Sequence, residues 1–271
     1  MEVQGILIRK TDYKERDVIV DLLLRNGKQM AIYFYGGKGG GKHQKGSLLE
    51  VGRMLKVNLK PNIKHGQESI AVAQEWSIIW DSDCIRNDFK GFYYLCFLLE
   101  LTKKIAIETQ IKDYDEKTQE FVGLFSVLSN ALYYLDEALK NKNFVMEKHL
   151  FIFLSKLIYQ LGIMPDDSSC GHCHSDLNRV QSLFSPKDGQ FICLNCQSQG
   201  HEFFSDQFNI GPLLAESEMQ RKELSRWSQL PFKEWSQMFE LSKKIPENLF
   251  HYICIQCHLD RASFKTATFL W

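Results

Sequence analysis

No stretch of this 271-residue chain stays apolar long enough to span a membrane. The opening residues, Met1-Glu-Val-Gln-Gly5, hold neither a basic leader nor an apolar h-region, so no secretory signal is expected. No membrane partner is predicted, and a cytoplasmic protein is. Net charge is also missing: 33 Lys+Arg balance 33 Asp+Glu. The total therefore says nothing about partners, and only the distribution can. No repeat of solenoid length occurs. No Ser-His-Asp arrangement or acidic metal cluster stands out, so no catalytic residue is assigned and the chain is read as a non-enzyme.

What is present begins with charge asymmetry. Residues 1–75 carry 13 Lys+Arg against 8 Asp+Glu, and the remainder 20 against 25. A basic front and an acidic rear suggest a polyanion-binding front. That front reads as five short strands: Val3–Arg9, Asp17–Leu24, Gln29–Tyr35, Met54–Leu59 and Glu68–Gln74. Asn26-Gly27 closes a hairpin, both residues tolerating positive φ. Five strands in about 75 residues suit a small closed barrel of the OB type, with an SH3-like barrel as competitor.

Between the third and fourth strands lies Gly36-Gly-Lys-Gly-Gly-Gly-Lys-His-Gln-Lys-Gly46. So glycine-rich a stretch cannot pack a core and reads as a basic loop. Gly36 to Lys42 also fits the G-x-x-x-x-G-K phosphate-binding pattern, which makes an NTP-binding enzyme the rival reading. Position 43 is His, however, so the hydroxyl that holds Mg²⁺ in such loops is missing. The neighbourhood favours nucleic acid instead. Lys38, Lys42, Lys45, Arg53, Lys56 and Lys60 supply phosphate-neutralising cations. Tyr33 and Tyr35 supply rings for stacking, and Arg9 and Lys10 add charge on the first strand. The bland alternative is that the aromatics face the barrel core and the lysines only solvate a loop.

From about residue 82 the period changes. Helices are predicted at Asp88–Ile107, Glu116–Leu139 and Phe144–Leu161, and later at Gly211–Trp227, Pro231–Lys244 and Pro246–Asp260. Interrupting them is Cys170-Gly-His-Cys173 … Cys193-Leu-Asn-Cys196, two Cys-x-x-Cys pairs with 19 residues between them. Two such knuckles supply the four-thiolate tetrahedral shell that Zn²⁺ prefers, with no position left for a catalytic water. A structural zinc ribbon is predicted, with Val180–Phe184 and Gln190–Cys193 as its strands and His172 and His174 exposed. Cys254 and Cys257, on one helix face, read as core thiols. The fold class is thus α+β multidomain: a barrel over 1–80, a helical domain over 81–166 resuming at 205–271, and a zinc ribbon at 167–204. A zinc-stabilised protein adaptor without nucleic-acid binding is the remaining alternative.

Three segments resemble the bacterial RecO family. Gly5-Ile-Leu-Ile-Arg-Lys-Thr-Asp-Tyr-Lys-Glu-Arg-Asp-Val-Ile-Val20 with Gly27-Lys28 is similar to its first hairpin. Tyr159-Gln-Leu-Gly162, Pro165 and Cys170 are similar to its entry into the zinc region, and Arg261 to Leu270 to its closing segment. The loop after the third strand departs from the family, which has a basic-serine signature there. The resemblance implies a DNA repair and recombination mediator, associated with the nucleoid during repair. It implies binding of single- and double-stranded DNA, strand annealing, and loading of the recombinase onto DNA coated by single-strand binding protein. It also implies pairing with RecR and docking of the acidic-apolar C-terminal tail of single-strand binding protein, for which Lys103, Lys104 and Lys156 are candidates.

Overall fold

The computed structural model describes residues 1–38, 48–60, 70–110, 123–178, 180–185, 188–198, 223–238 and 240–271. They fall into two compact units: Met1–Phe144 with Phe264–Leu270, and Val145–Ser263 with Trp271.

The first unit opens with β1 (Glu2–Tyr13), β2 (Asp17–Leu24), β3 (Gln29–Phe34), β4 (Met54–Lys60) and β5 (Ala71–Trp80). They close a barrel in the order β1-β2-β3-β5-β4, with β1 also antiparallel to β4 and β3 parallel to β5. That closure selects the OB arrangement over the SH3-like one, which strand count alone cannot do. Alternation builds the interior: Val18, Val20 and Leu22 point inward from β2, and Met30, Ile32 and Phe34 from β3. Each fully buried Val, Leu or Ile contributes about 1.5–3 kcal/mol.

β1 runs four residues past its expected end. Its register shifts between Leu7 and Arg9, and such a bulge lets one strand bend enough to pair on both sides of a closed barrel. The hairpin after β2 also differs from expectation. Only Gly27 takes positive φ (79°), with Gly27 N–H donating to Leu24 O at 2.9 Å, the geometry of a longer loop ending on a left-handed glycine. The fifth strand, Ala71–Trp80, runs past its expected end at Gln74, and residues 68–69 of the expected strand lie outside the described residues.

Helices α1 (Asp83–Asn87), α2 (Phe89–Ile105) and α3 (Leu124–Lys140) complete this unit. The Asp88 carboxylate caps α2, accepting from Gly91 N–H at 2.7 Å. α3 begins at Leu124, and the earlier part of the helix expected from Glu116 lies outside the described residues. Gly123 sits at φ 69°, ψ −133°, a conformation open only to glycine, so no helix continues through it.

In the second unit, α4 (Met146–Gln160) packs on α6 (Lys244–Gln256), and β6 (Ser182–Ser185) pairs with β7 (Gln190–Cys193), which leads into α5 (Leu194–Ser198). Residues 223–229 are helical; the earlier part of the helix expected from Gly211 lies outside the described residues. The helix expected over Pro231–Lys244 is instead a 3₁₀ segment, Phe232–Gln237. Phe232, Trp235 and Met238 are buried at a three-residue spacing, which matches three residues per turn rather than 3.6.

Candidate nucleic-acid face and metal centre

The barrel's outer face is fixed by register. β3 turns Phe34 inward and Tyr33 outward, and Tyr35, just past its end, is 73% exposed. The aromatics thus divide between core and surface. Across the β1–β2–β3 surface, Arg9 lies opposite Asp21, Thr11 opposite Ile19, and Tyr13 opposite Asp17, while Ile19 lies opposite Tyr33. Tyr13, Tyr33 and Tyr35 form a chain of edge-to-face rings, with centroids 5.5 Å and 4.7 Å apart. Tyr13, absent from the expected set, belongs to this cluster; only the hairpin register reveals it. Lys14 Nζ stands 5.5 Å over the Tyr13 ring. The Tyr33 hydroxyl donates to Asp17 Oδ2, and Asp17 Oδ1 accepts from Gly36 N–H at 2.8 Å. The hydrogen bond from Tyr33 is the main cause that holds the Asp17 carboxyl below its ordinary range, and the same bond pushes the Tyr33 hydroxyl up to about 12.

The expected cations occupy varied settings. Arg9 is exposed and Lys10 half-buried on β1; Lys60 is exposed at the end of β4. Lys38 donates to Lys14 O at 2.9 Å and pairs with Asp12 at 3.4 Å. Lys56 pairs with Glu2 at 2.8 Å, with 43% of its side chain exposed. Lys42 and Lys45 lie outside the described residues.

Arg53 is not on an open face. It is 8% exposed, binds Asp81 through Nε and Nη2 at 2.8 Å each, and donates from Nη1 to Leu48 O at 2.6 Å. Arg86 completes the network, reaching Asp81 at 3.0 Å and Glu50 at 2.6 Å. Burial opposes ionisation of Asp81, but the Arg53 hydrogen bond and the two guanidinium charges outweigh it and lower its pKa. The network ties residues 48–53, where the chain re-enters the barrel, to α1. Those residues run straight into β4, so among the described residues no helix follows the glycine-lysine segment as a phosphate-binding P-loop requires.

In the second unit the four predicted ligands converge. The sulfurs of Cys170, Cys173, Cys193 and Cys196 all lie within 4.8 Å of one another and can hold a metal ion. Cys170 and Cys196 are 4.0 Å apart, Cys173 and Cys193 3.6 Å. Tetrahedral Zn–S bonds of about 2.3 Å place sulfurs about 3.8 Å apart, so the spacing fits. The first knuckle is closed by Cys170 N–H to Ser175 O and His174 N–H to Cys170 O, both 2.9 Å, with His174 at φ 59°. Cys193 N–H donates to Cys170 Sγ at 3.3 Å, a bond that favours thiolate. Hydrogen bonding by Ser175 draws the Cys173 thiol down to about 6, whereas burial pushes Cys196 up to about 12. A dication is the group that lets all four ionise together. His172 and His174 are exposed.

The three lysines singled out for partner docking do not share an element. Lys103 pairs with Asp21, and Lys104 stands 4.8 Å over the Phe264 ring; both are on α2. Lys156, on α4, stands 5.3 Å over Phe232 and donates to Ser228 O at 3.3 Å. Burial lowers its pKa. Among the described residues no helix is long and apolar enough to cross a membrane.

An OB-type barrel joined to helices and a four-cysteine centre defines a class of protein, and comparison with known proteins shows what the chain is similar to. Residues 86–205 match the family described as Recombination protein O C terminal. The chain is 28% identical over 216 residues to the DNA repair protein RecO of Bacillus cereus (strain AH187) and to that of Bacillus anthracis, covering 77% of this chain and 73% of each relative. It is 28% identical over 199 residues to the DNA repair protein RecO of Bacillus cereus (strain B4264), covering 71% and 68%. Over these residues the chain is similar to the RecO family, and the relatives it matches carry the name DNA repair protein.

Proposed function

We propose that the chain is a non-enzymatic recombination mediator. It binds single- and double-stranded DNA on the outer face of the barrel, anneals complementary strands, and helps load the recombinase onto DNA coated by single-strand binding protein. The observation that carries this reading is the outward placement of Tyr33 and Tyr35 on the β1–β2–β3 surface that also carries Arg9, just before the glycine-lysine segment that begins at Gly36. Cations neutralise backbone phosphates and release counterions, while rings stack on bases without reading their sequence. Two backbones screened in this way can approach with their pairing edges free, which is the physical requirement for annealing. Arg9, Lys10, Lys38, Lys42, Lys45, Lys56 and Lys60 are the proposed phosphate contacts; Arg53 instead anchors the returning chain.

The metal proposed for the four-cysteine centre is Zn²⁺ in a structural role. Four thiolates complete its shell, so it would supply cross-linking and no Lewis-acid chemistry. RecR and the tail of single-strand binding protein are the proposed protein partners, with Lys103, Lys104 and Lys156 as candidate contacts for the tail's carboxylates.

The test is a salt titration of the full chain against a short single-stranded oligonucleotide, without Mg²⁺ or nucleotide. Log affinity should fall linearly with log salt, by about 0.7 per phosphate neutralised. No binding, or binding indifferent to salt, overturns the reading and leaves the adaptor alternative.

A further inference from the structure

Asp17 stands at the centre of the three-tyrosine surface. It occupies the first position of β2, the strand between β1 and β3, with Tyr13 directly opposite on β1. Since Val18 pairs with Phe34, Asp17 faces the chain just past β3, where Tyr35 and Gly36 follow. Its two carboxylate oxygens are divided: one takes the Tyr33 hydroxyl, the other the Gly36 amide. Tyr33 is the middle ring of the cluster, in edge contact with Tyr13 on one side and Tyr35 on the other. Gly36, at φ 64°, is where the chain turns away after β3. One side chain therefore holds both the middle ring and the backbone at this turn.

An anion is out of place here if the face only attracts phosphate. Lys38 lies close by, with its amide on Arg16 O at 3.0 Å and its ammonium on Lys14 O and Asp12. Each carboxylate on such a surface weakens its pull on a polyanion. A carboxylate that satisfies two donors has a different use: it fixes ring orientation, and stacking depends on orientation where screening of phosphate does not.

We propose that Asp17 is a positioning residue that locks Tyr33, and through it the exposed Tyr35 ring, into a platform for unpaired nucleobases. This rests on the reading of the face as DNA-binding and adds a division of labour. Lysines hold the backbone regardless of strand state, and the Asp17-set rings select strands whose bases are free. Tyr35 is the outermost ring, and Tyr13 buttresses the middle one with Lys14 over its own face.

The experiment compares full-length wild type, Asp17→Ala and Tyr33→Phe on two oligonucleotides of equal length, one of thymidines and one abasic. Thermal melts confirm that each variant is folded. Tyr33→Phe deletes one oxygen from a surface ring and leaves charge unchanged, so it tests the idea even if Asp17→Ala proves unstable. Both variants should bind the thymidine strand about fivefold or more weakly with an unchanged salt slope. Tyr33→Phe should bind the abasic strand as wild type does, and Asp17→Ala at least as tightly, having lost a repulsive charge. The double variant should be no worse than the weaker single. Equal losses on both strands, or tighter thymidine binding by Asp17→Ala, would overturn the proposal in favour of a purely electrostatic or folding role. Wild type that binds both strands equally would refute the stacking platform while leaving DNA binding intact. Wild type that binds neither would remove the functional reading itself.

Discussion

The barrel and the cysteine centre solve the problem of holding short strands together by opposite means. The barrel's strands run from 6 to 12 residues and enclose a continuous apolar interior, with Val18, Val20, Leu22 and Ile32 fully buried. β6 and β7 have four residues each, and their apolar side chains are Leu183, Phe184, Phe191 and Ile192, with Phe184 against Tyr252. Two four-residue strands are too few to stand alone in water. The barrel owes its shape to burial, the ribbon to convergence of four sulfurs. It follows that each should fail by its own route and leave the other standing.

The largest effect expected is from metal removal. Strong chelation, or Cys170→Ser, should abolish hydrogen-exchange protection in β6 and β7, because metal binding supplies about 10 kcal/mol or more to sites of this kind. β1–β5 should stay protected, and one equivalent of Zn²⁺ per chain should be released. Protection lost equally in the barrel would break the comparison. The converse is Ile32→Ala, which should cost the barrel about 3 kcal/mol through the cavity it leaves. Zinc content should be unchanged, with denaturant unfolding monitored beside metal stoichiometry.

Acid should separate the two units more gently. Burial lowers the pKa of His149 to about 4, against an opposing hydrogen bond from its Nδ1 to Val145 O at 2.8 Å. Between the unfolded value of about 6.5 and the folded one, the unfolded chain takes up a proton that the folded chain refuses. The second unit should therefore be most stable above pH 6.5 and lose up to about 3 kcal/mol as pH falls toward 4. His149→Phe should flatten that loss and so distinguish it from protonation of the thiolates. In the first unit Asp81 has a lowered pKa, so its contribution is complete above the unfolded carboxylate value and is lost only as pH falls through the folded one. The smallest effect is Asp81→Asn, about 1 kcal/mol after solvent screening, read as a lower melting temperature of the first unit at pH 7 and none at strongly acidic pH.

The same contrast explains what the sequence could reveal. Short-range patterns were legible: alternation gives β2 with its ends at Asp17 and Leu24, and Cys-x-x-Cys spacing gives all four sulfurs. Features set by distant partners were not. Arg53 looks like a member of a cationic cluster until Asp81, 28 residues on, is seen to hold it. Phe232, Trp235 and Met238 fit a helix until packing selects a tighter spiral, with Trp235 4.3 Å from the His149 ring. Asp17 and Tyr13 carry no local signal at all. They face each other across the turn at 14–16, a pairing that the expected first strand, ending at Arg9, does not reach.

The most direct test of the central claim is photo-crosslinking of the full chain to a bromodeoxyuridine-substituted single strand, mapped by mass spectrometry. The account predicts adducts on Tyr35, Tyr33 or Tyr13, competed away by unlabelled strand and lost at high salt. Adducts confined to residues 170–196, with the β1–β3 surface unmarked, would contradict it.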